Sequence, residues 1–275
     1  MDIQADDIEY VTHASGPLLA RIYRPKDIPP SAGVISVHGG VWTRETRLTN
    51  AVIDEALARA GALVMALDFR MPPIGRYPAA IQDINLATRW LKARASGFGF
   101  TADRVGGVGT SSGGHQLMLS AMRPHDPRYA ALPLPGEGHD AALAFIAIGW
   151  PVLDPLTRYR MAKAKNMTSH VAAHDAYWPD EAAMAEGNPL LILERGENVL
   201  LPPALIVQGT ADTALPPGMV EKFASAYRRA GGTLELRMYE GQPHTFITKQ
   251  PDTPASRRAI DLIVAFVRFR SALLE

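Results

Sequence analysis

Short apolar runs alternate with amphipathic segments along most of this chain, and that alternation narrows the fold more than any other feature. The runs at 33–37, 62–67, 105–108, 142–148, 204–207 and 233–239 are predicted strands. Strands apolar on both faces fit a parallel sheet covered on both sides. Helical patterns fall between them, at 50–60, 78–95, 113–122, 217–230 and 254–274. Pro78 suits the first turn of its helix, and Gly231-Gly232 suits the end of the helix before it. Two more strands, 8–11 and 18–23, are joined through 13–17 and open the chain as an antiparallel pair. Together these predict an α/β protein with a doubly wound, mostly parallel, eight-stranded sheet, as one domain over 1–275.

One stretch, 152–202, breaks the rhythm. It holds helix-like pieces at 159–165 and 181–186 and several aromatics. A structureless loop of that length is rare in a compact domain. The segment is therefore expected to be a small helical insertion, a cap or lid over one end of the sheet.

Composition removes several classes of function. Lys plus Arg number 28 and Asp plus Glu number 28, so the basic footprint of a nucleic-acid binder is missing. With no cysteine, disulfides, thiolate zinc sites, iron–sulfur clusters and a cysteine nucleophile are excluded. The start of the chain is acidic and lacks the apolar core of a signal peptide. The longest apolar stretches, such as 141–151, fall short of the ~18 residues of a membrane span. A cytoplasmic protein without membrane association is the expectation. No H-E-x-x-H or similar ligand cluster occurs, so neither metal nor cofactor is expected. A homodimer is expected from base rates alone.

The sharpest chemical signal is Gly109-Thr110-Ser111-Ser112-Gly113, which directly follows a predicted strand and opens a predicted helix. That setting makes G-x-S-x-G a tight turn that lifts the serine hydroxyl above the sheet. Glycine is needed two residues either side because those positions pass close to other backbone. Ser112 is the weaker nucleophile candidate, since Thr110 stands two residues before it. A second signal, His38-Gly39-Gly40-Val41-Trp42, also ends a predicted strand. Glycines there let backbone N–H groups approach a substrate carbonyl oxygen, with the Ser112 N–H as the further donor. His38 reads as a loop brace, and Trp42 as either packing or a pocket wall.

Chain order supplies the third signal. Asp212, in Gln208-Gly209-Thr210-Ala211-Asp212, follows one predicted strand, and His244 follows the last. Ser111, Asp212 and His244 then all fall on loops at strand C-terminal ends, the edge at which open α/β sheets bind ligands. His244 is the candidate base and Asp212 its orienting carboxylate. Asp154, Asp175 and Asp180 are competing acids, but they lie before or inside the 152–202 segment. His115 is expected along the helix after Ser111, and His125, His139, His170 and His174 in solvated or packing roles.

Three groups of residues together resemble the hormone-sensitive-lipase-like branch of the α/β-hydrolases. They are His38-Gly39-Gly40, Asp68-Phe69-Arg70-Met71-Pro72 running into Tyr77-Pro78-Ala79-Ala80 and Asp83, and the turn from Gly109 to Gly114. The resemblance implies a carboxylesterase with a Ser111–His244–Asp212 triad, an oxyanion hole from Gly39, Gly40 and Ser112, and structural roles for Arg70 and Asp83. There are two departures. The Gly-Gly-Val-Trp loop is similar to that of kynurenine formamidases and feruloyl-esterase-like enzymes. The arm before the first strand is too short for the family's helical cap, so any lid must come from 152–202. Val41, Trp42, Trp150, Tyr177 and Trp178 are then candidate substrate-binding residues, with anchoring of the insertion as the other reading of the aromatics.

The expected function is a serine hydrolase cleaving small carboxylic esters through an acyl-enzyme. An amidase or formamidase with the same triad is the alternative, and a non-catalytic ligand-binding protein on this scaffold is the remote one.

Overall fold

The computed structural model describes residues 1–136 and 138–274. The chain opens with β1 (Ile3–His13), β2 (Gly16–Pro25) and β3 (Gly33–Val37). There follow α1 (Ala51–Arg59), β4 (Leu63–Leu67), α2 (Ala79–Phe98), β5 (Val105–Thr110), α3 (Ser112–Met122) and β6 (Ile146–Gly149). Four short helices come next: α4 (Pro155–Ala164), α5 (Thr168–Tyr177), α6 (Glu181–Glu186) and α7 (Pro189–Glu194). The chain closes with β7 (Ala204–Gly209), α8 (Met219–Arg229), β8 (Leu234–Tyr239), α9 (Phe246–Lys249) and α10 (Pro254–Ala272).

Among the described residues the strands form one eight-stranded sheet in the order β1-β2-β4-β3-β5-β6-β7-β8. Only the β1–β2 and β2–β4 pairings are antiparallel. From β3 through β7 every strand residue is buried, the burial that helices on both faces demand. Register aligns the strand ends. Val37 pairs with Gly109, Thr110 with Gly149, Gly149 with Val207, and Gly209 with Tyr239. The loops after β3, β5, β6, β7 and β8 therefore leave the sheet along one edge.

Several boundaries differ from the sequence reading. Strands β1 and β2 extend to a two-residue turn at Ala14 and Ser15. Residues 142–145 approach β5 without joining a regular strand, so β6 is shorter than predicted. Pro78 caps α2 rather than entering its first turn. The 152–202 segment holds four helices where two were predicted. Its capping is mutual: Asp154 caps α4 at Thr157 N and also accepts from Asn188, which caps α7 at Leu191 N.

Two buried polar groups brace the frame. Asp83, on α2, accepts bonds from the Arg70 backbone N–H (2.8 Å), the Arg70 guanidinium and His13 (2.9 Å), tying β1 and the loop after β4 to the helix. Asn50, before α1, reaches Ser36 and Val37 O and accepts from Thr110, joining β3 to the end of β5.

Asp54 lies one turn along α1 and is fully buried, with no hydrogen-bond partner for either carboxyl oxygen. Burial raises its pKa to about 8, and the nearby Ser36 hydroxyl offsets only part of this. Folded, the group stays neutral towards pH 8; unfolded, it ionises near the ordinary value of 3.8. Unfolding between those limits releases a proton, so stability falls as pH rises through this window. Asp54→Asn is expected to flatten that fall, so that its Tm relative to the parent climbs between pH 5 and pH 8 in thermal melts. A pH-independent difference would contradict this account.

Candidate active site

Ser111 occupies the turn between β5 and α3 with φ 51° and ψ −120°. A non-glycine residue there costs on the order of 1–3 kcal/mol and persists only when its surroundings over-determine it. Here the backbone is pinned on both sides. Ser111 N donates to Gly149 O (2.9 Å), and Ser111 O accepts from Val152 N (3.1 Å). Of the flanking glycines, Gly113 is sterically required and Gly109 is tightly fitted. A Cβ on Gly113 would lie 2.2 Å from His38 O and 2.3 Å from Val37 O. One on Gly109 would lie 3.0 Å from Gly113 O, and one on Gly39 would lie 3.1 Å from Ser111 Cβ. The loop after β3 thus rests directly on the turn that carries the serine.

Ser111, His244 and Asp212 come together. Ser111 Oγ is 2.9 Å from His244 Nε2, and His244 Nδ1 is 2.7 Å from Asp212 Oδ2. Asp212 Oδ2 also accepts from Gln208 Nε2 (2.9 Å), and Oδ1 from Ala214 N (2.8 Å). Burial alone would raise the Asp212 pKa, but the bonds from His244, Gln208 and Ala214 outweigh it and hold the carboxyl below its usual range. An ionised Asp212 assigns the proton to Nδ1 and leaves Nε2 free to accept from the serine hydroxyl.

The competing acids are engaged elsewhere. Asp154 and Asp180 cap α4 and α6, and Asp175 accepts from the Tyr159 hydroxyl at 2.6 Å. His38 donates from Nδ1 to Gly39 O and stacks on Phe69, which is bracing. Among the described residues, no group of three or more His, Asp or Glu is placed to hold a metal ion.

The loop from Gly39 to Trp42 has three successive positive φ values: 104° at Gly40, 49° at Val41 and 65° at Trp42. Its hold on α3 comes from two side chains whose part the sequence did not disclose. Trp42 N donates to Ser112 Oγ (3.1 Å), so the second serine anchors the loop with its hydroxyl. Trp42 Nε1 donates to His115 Nδ1 (3.2 Å), and His115 Nε2 donates to Gly187 O (2.8 Å). Burial lowers the His115 pKa to about 4, keeping the ring neutral as this relay requires.

The aromatic residues expected to bind substrate are packed away instead. Trp42, Trp150, Tyr177 and Trp178 are no more than 1% exposed. Trp42 stacks on Tyr177 (5.5 Å, 9°) and meets Trp178 and His174 edge-on. These three rings bind the loop after β3 to α5, so anchoring prevails over the pocket-wall reading. Trp150 meets the rings of His244 and Phe246. Val41 is 8% exposed. A groove of about 520 Å³ opens beside the loop, lined by Thr43, Pro72, Pro73, Arg76, Asp175 and Ala176, none of which the sequence reading proposed.

Sheet order and strand-end geometry are those of the α/β-hydrolases. Residues 34–248 match the family model described as alpha/beta hydrolase fold, and the chain belongs to that family. Esterase LipC of Mycobacterium tuberculosis is 27% identical over 227 residues, covering 79% of this chain and 55% of the relative. Probable carboxylic ester hydrolase LipM of the same organism is 28% identical over 223 residues, covering 75% and 50%. This chain spans about half the length of these curated relatives. The structure of Thermogutta terrifontis esterase 2 phosphorylated by paraoxon shares the fold, with a TM-score of 0.75 at 23% identity over 96% of this chain and 93% of that one.

Gly113→Ala is expected to yield insoluble protein or a loss of several kcal/mol, roughly the upper range for a core substitution, because backbone must move. Gly97→Ala, in α2 with nothing within 4 Å of the added Cβ, is expected to leave stability unchanged or raise it by up to about 1 kcal/mol. Urea unfolding of both variants tests the contrast. Equal effects would refute the steric account of the turn.

Proposed function

We propose that this chain hydrolyses small carboxylic esters through an acyl-enzyme on Ser111. The observation that carries the reading is the unbroken chain of hydrogen bonds from Ser111 Oγ through His244 to Asp212. Family membership and relatives described as esterases support it. The amide and formamide alternative draws no support from those relatives.

In this reading Ser111 Oγ attacks the ester carbonyl while His244 Nε2 takes its proton. Backbone N–H groups of Gly39, Gly40 and Ser112 receive the negative charge that develops on the carbonyl oxygen. Collapse of the tetrahedral adduct expels the alcohol, which leaves with the proton from His244. Water, deprotonated by the same imidazole, then releases the acid and restores the serine. Asp212 stays ionised and stabilises the transient imidazolium. Residues 152–202 act as a lid on a single catalytic domain, and Val41 faces the bound acyl group.

Ser111→Ala is expected to lower kcat for p-nitrophenyl acetate by about 10⁴–10⁶. Ser112→Ala should keep the nucleophile but release the loop, with a loss nearer the ~10²–10³ of a damaged oxyanion hole. Steady-state kinetics of the two variants decide: retained activity in Ser111→Ala, with complete loss in Ser112→Ala, would reassign the nucleophile.

A further inference from the structure

Arg158, on α4, is 1% exposed, and neither Nη1 nor Nη2 has a hydrogen-bond partner. Its Nε donates to Ala214 O (3.0 Å), and its Cζ lies 5.7 Å from the Trp42 ring centroid. The guanidinium therefore sits between the loop that follows β3 and the loop that carries Asp212. Asp212 is the anion whose charge it feels, but both oxygens of that carboxylate are taken by His244, Gln208 and Ala214. The other titratable groups in its field are His170 and His174 of α5, and His170 also feels His244 and Arg44. Burial holds both histidines towards the neutral form, so apart from Asp212, whose oxygens are already bonded, these neighbours offer no carboxylate to the fork.

Burying a guanidinium whose terminal nitrogens have no hydrogen-bond partner is costly, and packing alone would be served better by an apolar side chain. Its two adjacent terminal nitrogens form a planar fork that matches a carboxylate. We propose that Arg158 is a specificity residue that pairs with a carboxylate carried by the substrate, so that the ester cleaved at Ser111 is an anionic one. This rests on the ester-hydrolase reading above and names its substrate class. The guanidinium lies against the Trp42 ring, so a substrate carboxylate reaches it only when α4 draws back from that ring.

The carboxylate can belong to the acyl part or to the alcohol part, and two substrate pairs separate these. Monomethyl glutarate is compared with methyl valerate, and acetoxyacetate with methyl acetoxyacetate. At least one anionic ester should exceed its neutral counterpart tenfold or more in kcat/KM. Arg158→Met should lower kcat/KM for that ester at least tenfold, mainly through KM, and change the neutral one less than threefold. Arg158→Lys, which keeps charge without the fork, should retain part of the preference. Should the Met variant fail to fold, glutarate or acetate at millimolar concentration should still inhibit the wild-type enzyme competitively, with neutral pentanol inert. No anionic preference in either pair, or equal loss on both members in Arg158→Met, overturns the proposal. Hydrolysis of p-nitrophenyl acetate reads the parent reading separately: if that fails too, the esterase assignment itself is wrong.

Discussion

The contact between the loop after β3 and the turn after β5 controls the chemistry of this fold. Three glycines permit it: Gly113 under His38 O, Gly109 against the first turn of α3, and Gly39 over Ser111. Because Val37 and Gly109 are paired in the sheet, both loops leave at one level, and the serine cannot avoid the space beneath Gly39. Its backbone takes a positive φ of 51° in that space. Hydrogen bonds from Ser111 to Gly149 and from Val152 to Ser111 then lock the turn to the end of β6.

A second layer fastens the 152–202 segment onto this turn. Trp42 is the joint, since its backbone is held by Ser112 while its ring is packed against Tyr177, Trp178 and His174. Further out, Glu186 of α6 accepts from Tyr77 and pairs with Arg123 and Arg128, which ties the segment to the loop before α2 and to the chain after α3. The segment also turns buried polar side chains inward, Arg158 and His174 among them. Arg158 is the most polar of these, held by one backbone carbonyl and a ring face.

The frame was legible because strand and helix periodicities are strong where a sheet is covered on both faces, and β3 emerged with its predicted limits. Ser111, Asp212 and His244 were legible because their residue types, order and strand-end positions converge. The misses have physical causes. Helix α5, Thr168-Ser169-His170-Val171 onward, is polar and opens without a side-chain cap, so its sequence carries no start signal. Helix α7 is short and almost wholly apolar, which reads as a strand fragment; Asn188 followed by Pro189 was the unused sign of its N-terminus. The aromatics could not be divided between packing and pocket until their ring contacts were known. Ser112 and His115 looked like bystanders because their anchoring partner, Trp42, is distant in sequence. Arg158 shares its short helix with Arg160 and Lys163 and reads as one more solvent-facing cation, so the sequence gave no warning of its burial.

The central claim is that one hydroxyl, and not its neighbour, is activated by His244. A fluorophosphonate probe followed by peptide mass mapping tests it directly, because the reagent marks only a serine whose proton can be taken. The account predicts one stoichiometric adduct on Ser111, lost when His244 is replaced by alanine. An adduct on Ser112, or none in a protein that still hydrolyses esters, would contradict it.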